Sequence, residues 1–193
     1  MKNGIEFFEF VEELKCVKRF QSFEPMHESV AGHIFGTMFI AHDLMDRFDL
    51  GLNKCHVLEL LLFHDLAEAG MKFDIEAPKS AENDDVKKQK HLAEMAKIGE
   101  ISQKFKKPFL FELFKEFEEK ETREALFANL VDKIDAQNHM IQNKCAGLAT
   151  EADFDFIIHF SDKFVVHFPQ LVGVVNEIKE RLSTLKKEFF KKK

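Results

Sequence analysis

The stretch LLFHDLAEAG, residues 61–70, carries the strongest structural and chemical signal in this 193-residue chain. It joins a purely apolar run to a histidine, an aspartate and a glutamate. On an α-helix, Glu68 lies four residues after His64 and three after Asp65, so the three side chains can share one side of the helix. Burying such an imidazole and carboxylate is costly unless they have a partner. A divalent cation is one such partner, and a hydrogen-bonded pair at a helix end is the structural alternative.

Helical periodicity extends from this stretch in both directions, with apolar residues recurring at intervals of three and four. No segment shows the alternation that a half-buried strand requires. Asn53 is predicted to cap the helix that carries His64. Further helices are predicted near residues 5–18, 29–48, 83–105, 109–117, 121–142, 153–164 and 169–190, with a loop at 70–80. We therefore predict an all-α, single-domain helical bundle over residues 1–193, with the motifs in 14–142 and C-terminal helices in 150–190.

The composition favours one helical domain with a substantial core. Apolar residues make up 45% of the chain, and its 23 Phe, with no Trp or Tyr, supply rings that need no hydrogen-bond partner. Charged residues make up 32%, with only 8 Gly and 4 Pro, which argues against disorder and against a β-sandwich. The net charge of −6 argues against a nucleic-acid partner, because such partners attract basic proteins.

The cysteines and the apolar runs predict a cytoplasmic protein with no membrane partner. The three cysteines are widely spaced and form no CxxC pair, so neither a zinc knuckle nor a disulfide framework is indicated. Reduced thiols suit the cytoplasm. The N-terminal apolar stretch is interrupted by glutamates, unlike a signal peptide. The remaining apolar runs are too short or too interrupted to span a bilayer.

Two other places along the chain carry residues with metal-binding chemistry. His33 lies in HESVAGHIFGTMFIAHDL, residues 27–44, among small residues that let a helix or a ligand approach closely. Asp132 lies in LFANLVDKIDAQ, residues 126–137, between apolar positions. Asp135, three residues later, is an alternative ligand on the same helix face.

The order His33, then His64-Asp65, then Asp132 resembles the HD superfamily of metal-dependent phosphohydrolases, and more narrowly its 5′-deoxynucleotidase branch. The resemblance extends over about 14–142. Its matching pieces, in register, are KRF (18–20), ESVAGH (28–33), FHDLAE (63–68), DIEAP (74–78) and EFEEKETREALFANLVDKID (116–135). The C-terminal third matches only in its helical character. The resemblance implies a helical bundle of the HD-domain type.

The resemblance implies one divalent metal ion, with Mn, Co, Mg, Fe, Ni and Zn not distinguished. Its four ligands by position are His33, His64, Asp65 and Asp132. Glu68 matches the acid that orients or deprotonates the attacking water. Asp74 matches a second catalytic acid, with Glu76 as an alternative, because the segment leading to Asp74 is one residue longer than in the family.

The resemblance also implies a substrate, a nucleoside 5′-monophosphate hydrolysed to nucleoside and phosphate, and a homodimer. Arg19 matches a phosphate-binding arginine, whose planar fork suits phosphate oxygens. Phe20 matches an aromatic residue beside the sugar, although the family more often has Trp there. Lys79 is a further candidate for phosphate contact, although a loop lysine is more often simply solvated.

Three other functions compete with this interpretation. A guanosine tetraphosphate hydrolase of the same superfamily has a second acid directly after the glutamate, whereas here Ala69 follows Glu68. A dinuclear oxygenase or cyclic-dinucleotide phosphodiesterase needs more histidines before the final aspartate, and His91 is the only one in that interval. The third alternative is a catalytically silent, nucleotide-binding regulatory module.

Other histidines and aromatic residues are predicted to be structural. His42 and Asp43 form a second His-Asp pair, more than two turns from His33, and are predicted to have a surface or structural role. The histidines predicted to have ordinary surface or core roles are His27, His56, His91, His139, His159 and His167. The rings predicted to form core or a dimer face rather than a substrate groove are Phe154, Phe156, Phe160, Phe164 and Phe168.

Overall fold

The computed structural model describes residues 5–19, 28–71, 84–144 and 150–191, and almost all of these residues are helical. The helices are α1 Glu6–Cys16, α2 Val30–Arg47, α3 Lys54–Phe63, α4 Leu66–Met71, α5 Asp84–Phe105, α6 Phe109–Glu119, α7 Arg123–Gln142, α8 Glu151–Ile158, α9 Asp162–Val165 and α10 Val172–Lys191, with a 3₁₀ turn at Pro169–Leu171. Within the described ranges the only β-type pairing is an isolated bridge between Lys18 and Ser29.

Side-chain caps explain where several helices begin. Hydroxyl or amide oxygens accept a hydrogen bond from a first-turn N–H at Ser29, Asn53, Thr122 and Thr150. The predicted cap at Asn53 is therefore confirmed. The helix predicted to begin at residue 121 begins at Arg123, because Thr122 caps it and Lys120 ends α6 in a left-handed conformation with φ of 59°.

Helices α2, α3 and α7 pack pairwise against one another and form the centre of the molecule. Their shared core contains fully buried Leu60, Leu61, Phe127 and Leu130. A second cluster joins α1, α2, α4, α5 and α6, and a third joins α7, α8 and α10. The chemically active side chains lie where the three central helices meet.

The predicted all-α, single-domain fold class is confirmed. One difference matters for the site, because α3 ends at Phe63 and a turn at residues 64–65 separates it from α4. The ring of His64 donates through Nδ1 to the carbonyl oxygen of Leu61 at 2.7 Å. In a continuous helix that carbonyl would accept from the amide of Asp65, so the histidine competes with the backbone at this point.

The C-terminal segment also differs in detail from its prediction. The helix expected over 153–164 is two helices, α8 and α9, joined by tight turns in which Phe160 N–H donates to Ile157 and Asp162 N–H donates to His159. Within the described residues, no helix combines the length and the apolar character needed to cross a membrane. The cytoplasmic location and the homodimer stay predictions.

Candidate metal centre

Three side chains from the central helices converge in the interior of the protein. His33 lies on α2, His64 follows α3 and Asp132 lies on α7, and they are 0%, 3% and 7% exposed. His33 Nε2 lies 3.3 Å from His64 Nε2 and 3.1 Å from Asp132 Oδ1. One ligand atom from each of the three lies within 4.8 Å of the others, the arrangement of a group that could hold a metal ion.

Each of the two imidazoles makes a hydrogen bond through Nδ1 that points away from the centre. These bonds determine that the Nε2 atoms face the centre as acceptors. His64 Nδ1 contacts the Leu61 carbonyl oxygen, which can only accept, so this nitrogen carries a proton. His33 Nδ1 contacts the Asp135 carboxylate at 2.6 Å and donates in the same way. In the neutral rings both Nε2 atoms therefore direct lone pairs at the centre.

This donor set fits a cation. Among the described residues, the carboxylates within 4 Å of the two Nε2 atoms are those of Asp65 and Asp132. Two imidazole lone pairs and carboxylate oxygens repel one another unless a positive charge lies among them. Imidazole nitrogen and carboxylate oxygen together are ordinary ligands for divalent transition metals.

The pKa values of the cluster reflect the same need for positive charge. Burial and the charge of Arg19 lower the pKa of His33, but its hydrogen bonds to Asp132 and Asp135 outweigh them and raise it to about 9. Burial works against ionisation of Asp132, yet the charge of Lys133 and the hydrogen bond from His33 hold its pKa well below the ordinary value.

Asp65, the fourth ligand that the sequence predicts, borders the trio. Its Oδ2 lies 3.3 Å from His64 Nε2 and 3.8 Å from His33 Nε2, and its side chain is 19% exposed. Burial raises its pKa, but the charges of His64, Arg19 and His33 together lower it, so Asp65 is ionised at neutral pH. The carboxylate thus lies between the buried trio and solvent.

Asp135 lies on the opposite side of the His33 ring from Asp132. The two aspartates are three residues apart on α7, and together they contact both nitrogens of one imidazole. Asp135 also comes close to Glu28 and His33 in a second group of ligand atoms. Its short hydrogen bond with Nδ1 makes it the residue that orients His33 and determines its tautomer.

Gly36 leaves the space that Asp135 occupies. A Cβ atom at position 36 would lie 2.5 Å from Asp135 Oδ1, closer than van der Waals contact allows. The absence of a side chain on α2 at this point lets the carboxylate lie against the helix. The glycine is thus part of the support of His33.

Arg19 lies at the edge of the centre, between two acidic groups. Its Nη1 is 3.5 Å from Asp65 Oδ2 and its Nε is 3.7 Å from Glu28 Oε2. Burial lowers its pKa, but the charges of Asp65 and Asp132 outweigh burial and raise it above the ordinary value. The guanidinium is therefore a permanent cation beside the candidate ligands.

The centre opens into a cleft of about 790 Å³. His64, Asp65 and Asp132 line it, as does Glu68 on α4, which is only 5% exposed. The structure thus brings Glu68 to the same cleft as the candidate ligands. Four other residues named from the sequence, Phe20, Asp74, Glu76 and Lys79, lie outside the described residues.

A polar wall of the cleft comes from α5 and the end of α6. Lys90 lies 3.5 Å from Glu94, and His91 lies 3.2 Å from Glu118. Burial raises the pKa of Glu94 to about 7, although the charge of Lys90 partly offsets it. The sequence predicts an ordinary surface or core role for His91, and the structure places its side chain, 45% exposed, in the wall of the cleft.

The last third of the chain supplies an aromatic wall. Phe156, Phe160 and Phe164 line the cleft, together with exposed His159. Phe164 is 2% exposed and belongs to the central core, as predicted, while Phe156 and Phe160 pack against the third core cluster and also border the cleft. Fully buried Phe154 and Phe168 do belong to the core, in different clusters. Phenylalanine spacing along a helix identifies apolar faces but not which face borders a cavity.

Sequence reasoning missed Lys133, which links the candidate metal centre to the aromatic wall. Its Nζ lies 2.6 Å from Asp132 Oδ2 and 4.5 Å from the centroid of Phe160. The only signal in the sequence is its position next to Asp132. That signal is weak, since consecutive residues on a helix point in different directions.

Comparisons with known proteins identify a family and several similar folds. A family model described as HD domain matches residues 11–172. Among solved structures, a protein from Pyrococcus horikoshii is 25% identical with a TM-score of 0.71, and the match covers 92% of this chain and 99% of that chain. A conserved hypothetical protein from Pyrococcus furiosus is 20% identical with a TM-score of 0.73, and the match covers the same shares.

A third solved structure carries a functional name. It is a predicted metal-dependent phosphohydrolase from Magnetospirillum magnetotacticum, 17% identical with a TM-score of 0.61, and the match covers 97% of this chain and 91% of that chain. At this identity the likeness concerns the fold alone. None of the curated proteins matches the chain.

Proposed function

The chain belongs to the HD-domain family, and from that premise we propose that it is a metal-dependent phosphohydrolase acting on phosphate monoesters, with nucleoside 5′-monophosphates as the favoured substrates. One observation carries the proposal. The Nε2 atoms of His33 and His64 and the carboxylate of Asp132 meet in the interior, where their lone pairs require a cation. The name of the Magnetospirillum structure, which shares the fold, points to the same class of reaction.

In this proposal, His33, His64, Asp65 and Asp132 hold one divalent ion. When bound, such an ion lowers the pKa of water and neutralises charge on phosphoryl oxygens. The acidic net charge of the chain makes a local source of positive charge necessary, because a substrate phosphate would otherwise be repelled. The resemblance to the 5′-deoxynucleotidase branch supports the nucleotide as substrate.

Arg19 and Lys133 supply additional positive charge to the phosphoryl group. The guanidinium beside Asp65 presents a planar fork of donors that suits two phosphate oxygens at once. Lys133 lies against Asp132 at the cleft and adds a compact charge on a flexible stem. Both groups lie beside candidate metal ligands, so they are suited to orient a substrate whose phosphate approaches the centre.

Glu68 is the general base of the proposed reaction. It lines the cleft from α4, three residues after Asp65, and is almost fully buried. It accepts a proton from the attacking water as the new P–O bond forms. The bond to the ester oxygen breaks, and that oxygen leaves with a proton from an acid, for which Asp74 remains the predicted candidate.

Release of inorganic phosphate tests the proposal directly. Purified protein is incubated with nucleoside 5′-monophosphates and with simple sugar phosphates, with Mn²⁺, Co²⁺ or Mg²⁺ added, before and after treatment with a chelator. We expect release that disappears on chelation and returns with the metal. Tight nucleotide binding without any phosphate release would indicate the silent regulatory module instead.

A further inference from the structure

Two aromatic rings from the last third of the chain border the same cleft as the metal centre. Phe156 lies on α8 and Phe160 just beyond it, and their ring centroids are 5.0 Å apart at an interplanar angle of 45°. Both line the cleft and are only partly buried. We define Phe156 and Phe160 as the aromatic patch.

The aromatic patch lies close to the candidate ligands. The Lys133 ammonium contacts the Asp132 carboxylate at 2.6 Å and lies 4.5 Å from the Phe160 centroid. A single ammonium group thus links a candidate metal ligand to the patch. A substrate whose phosphoryl group reaches the centre can therefore extend its leaving group toward these rings.

The chemistry of the patch selects for flat, weakly polar groups. Phenylalanine carries no hydrogen-bonding atom, so these rings can bind a ligand only by contact and stacking. Base–aromatic stacking is favourable for every nucleobase, because each has a π-face. The neighbouring polar wall, with Lys90 and Glu94, supplies donors and acceptors that a purely apolar groove lacks.

We propose that Phe156 and Phe160 form a stacking subsite for the planar ring of the leaving group, so that the preferred substrates are phosphate monoesters whose alcohol carries a heteroaromatic ring. The inference rests on the proposed function, since it names the part of the substrate that does not react. Lys133 covers the ring of Phe160. Its flexible stem allows the ammonium to turn to a phosphoryl oxygen when the heteroaromatic ring binds.

A purely structural role for the two rings makes a different prediction. The patch packs against a third core cluster that contains Phe154, Ile157 and Leu182. If the rings only supported this core, shortening them would reduce activity on all substrates alike. A stacking subsite, in contrast, affects only substrates that carry the ring.

The first test compares two esters that differ only in the base, 2′-deoxyadenosine 5′-monophosphate and 2-deoxyribose 5-phosphate. We expect the ratio of their kcat/KM values to fall by about 5- to 100-fold in Phe156→Leu or Phe160→Leu, with kcat/KM for the sugar phosphate unchanged. Phe39→Leu is the matched control, because that ring is 64% exposed on α2 and does not line the cleft. Thermal unfolding of each variant checks that it folds.

The second test measures binding in the presence of a chelator, so that the proposed metal-dependent hydrolysis cannot proceed. The chain has no Trp or Tyr, so the fluorescence of an ethenoadenosine monophosphate is observed against a nearly dark protein. We expect stacking to change this fluorescence in the wild type and in Phe39→Leu, but much less in the two patch variants.

The two tests distinguish a failure of the stacking subsite from a failure of the proposed function. The subsite is overturned if folded Phe156→Leu and Phe160→Leu variants keep the wild-type ratio of the two kcat/KM values, whether both values are unchanged or both fall equally. A fluorescence response equal to that of the wild type would also overturn it. A wild type that releases no phosphate from either ester would contradict the proposed function. In that case a fluorescence response lost only in the patch variants would still support the subsite.

Discussion

The chain contains two His-Asp pairs whose local sequences are alike but whose environments differ. His64 and Asp65 follow α3, with side chains that are 1% and 19% exposed, and they meet His33 inside the protein. His42 and Asp43 lie on α2, with side chains that are 54% and 58% exposed, which agrees with the surface or structural role predicted for them. The same dipeptide is thus a candidate metal site in one place and a solvated surface feature in the other.

The acid three residues further on shows the same contrast. Glu68 follows the buried pair and is enclosed at the cleft, whereas Asp46 follows the exposed pair and forms surface contacts with Lys54 and His42. Exposed ion pairs contribute little, because water and salt screen them. The motif acquires its chemistry from burial and from partners that are distant in the sequence, which the following substitutions test.

Asp65→Ala is expected to have the largest effect. The substitution removes a carboxylate ligand. Loss of a residue that only hydrogen-bonds to a metal ligand already weakens metal binding by about 10- to 100-fold. We therefore expect Mn²⁺ binding, measured by calorimetry, to weaken by more than about 100-fold. Phosphate release should fall to background. Asp43→Ala removes the matching acid of the exposed pair and should leave both measurements unchanged. Equal effects of the two substitutions would contradict the distinction between the buried and the exposed His-Asp pair.

Glu68→Gln should retain the metal but lose turnover. The amide is nearly isosteric but cannot accept the proton of the attacking water, so kcat should fall by roughly 10²- to 10⁴-fold. Metal content by elemental analysis should match the wild type. Asp46→Asn is the control beside the exposed pair and should keep full activity. A fully active Glu68→Gln enzyme would remove Glu68 from the mechanism.

Asp135→Asn should weaken metal binding less than Asp65→Ala does. A neutral amide at this position no longer holds the proton on His33 Nδ1 as firmly as the carboxylate does, so the ring can change tautomer and turn its Nε2 lone pair away. We expect about 10- to 100-fold weaker Mn²⁺ binding. Asp43→Asn, which alters a surface contact with Arg47, is the control. Unchanged affinity in Asp135→Asn would show that His33 needs no support from Asp135.

Glu94→Gln should have the smallest effect, one that depends on pH. Burial raises the pKa of Glu94 to about 7 in the folded state from an ordinary value of 4.5, so folding favours its protonated form. Its contribution to stability is present below about pH 4.5 and is lost as the pH rises through about 7. The free energy of unfolding of Glu94→Gln, measured with urea and taken relative to the wild type, should therefore rise by about 1–3 kcal/mol between pH 5 and pH 7.5.

Asp46→Asn provides the matching measurement in the exposed environment. The hydrogen bond from Lys54 lowers the pKa of Asp46 below its ordinary value of 3.8, so the pH effect has the opposite sign and lies at lower pH. Relative to the wild type, Asp46→Asn should lose stability as the pH rises through about 4 and show no further change between pH 5 and pH 7.5. A difference between Glu94→Gln and the wild type that does not vary with pH would mean that burial does not control the Glu94 carboxyl.

Much of the fold follows from patterns within single segments. Helix periodicity and the cap at Asn53 predict most helices to within a few residues, because both depend on neighbours one turn away. The break between α3 and α4 was not predicted, since it depends on the His64 ring contacting the Leu61 carbonyl. The division of the C-terminal segment into α8 and α9 was also missed.

The helical class and the candidate ligands His33, His64 and Asp132 could be predicted from local sequence patterns, because residue type and helical period are local properties. Three features appear only in the folded protein: these three residues meet, Asp135 lies on the other side of the His33 ring, and Phe156 and Phe160 border the same cleft. They could not be predicted because the residues involved are far apart along the chain. His33 and Asp132 are 99 residues apart, and their contact results from how α2, α3 and α7 pack, which no local pattern encodes.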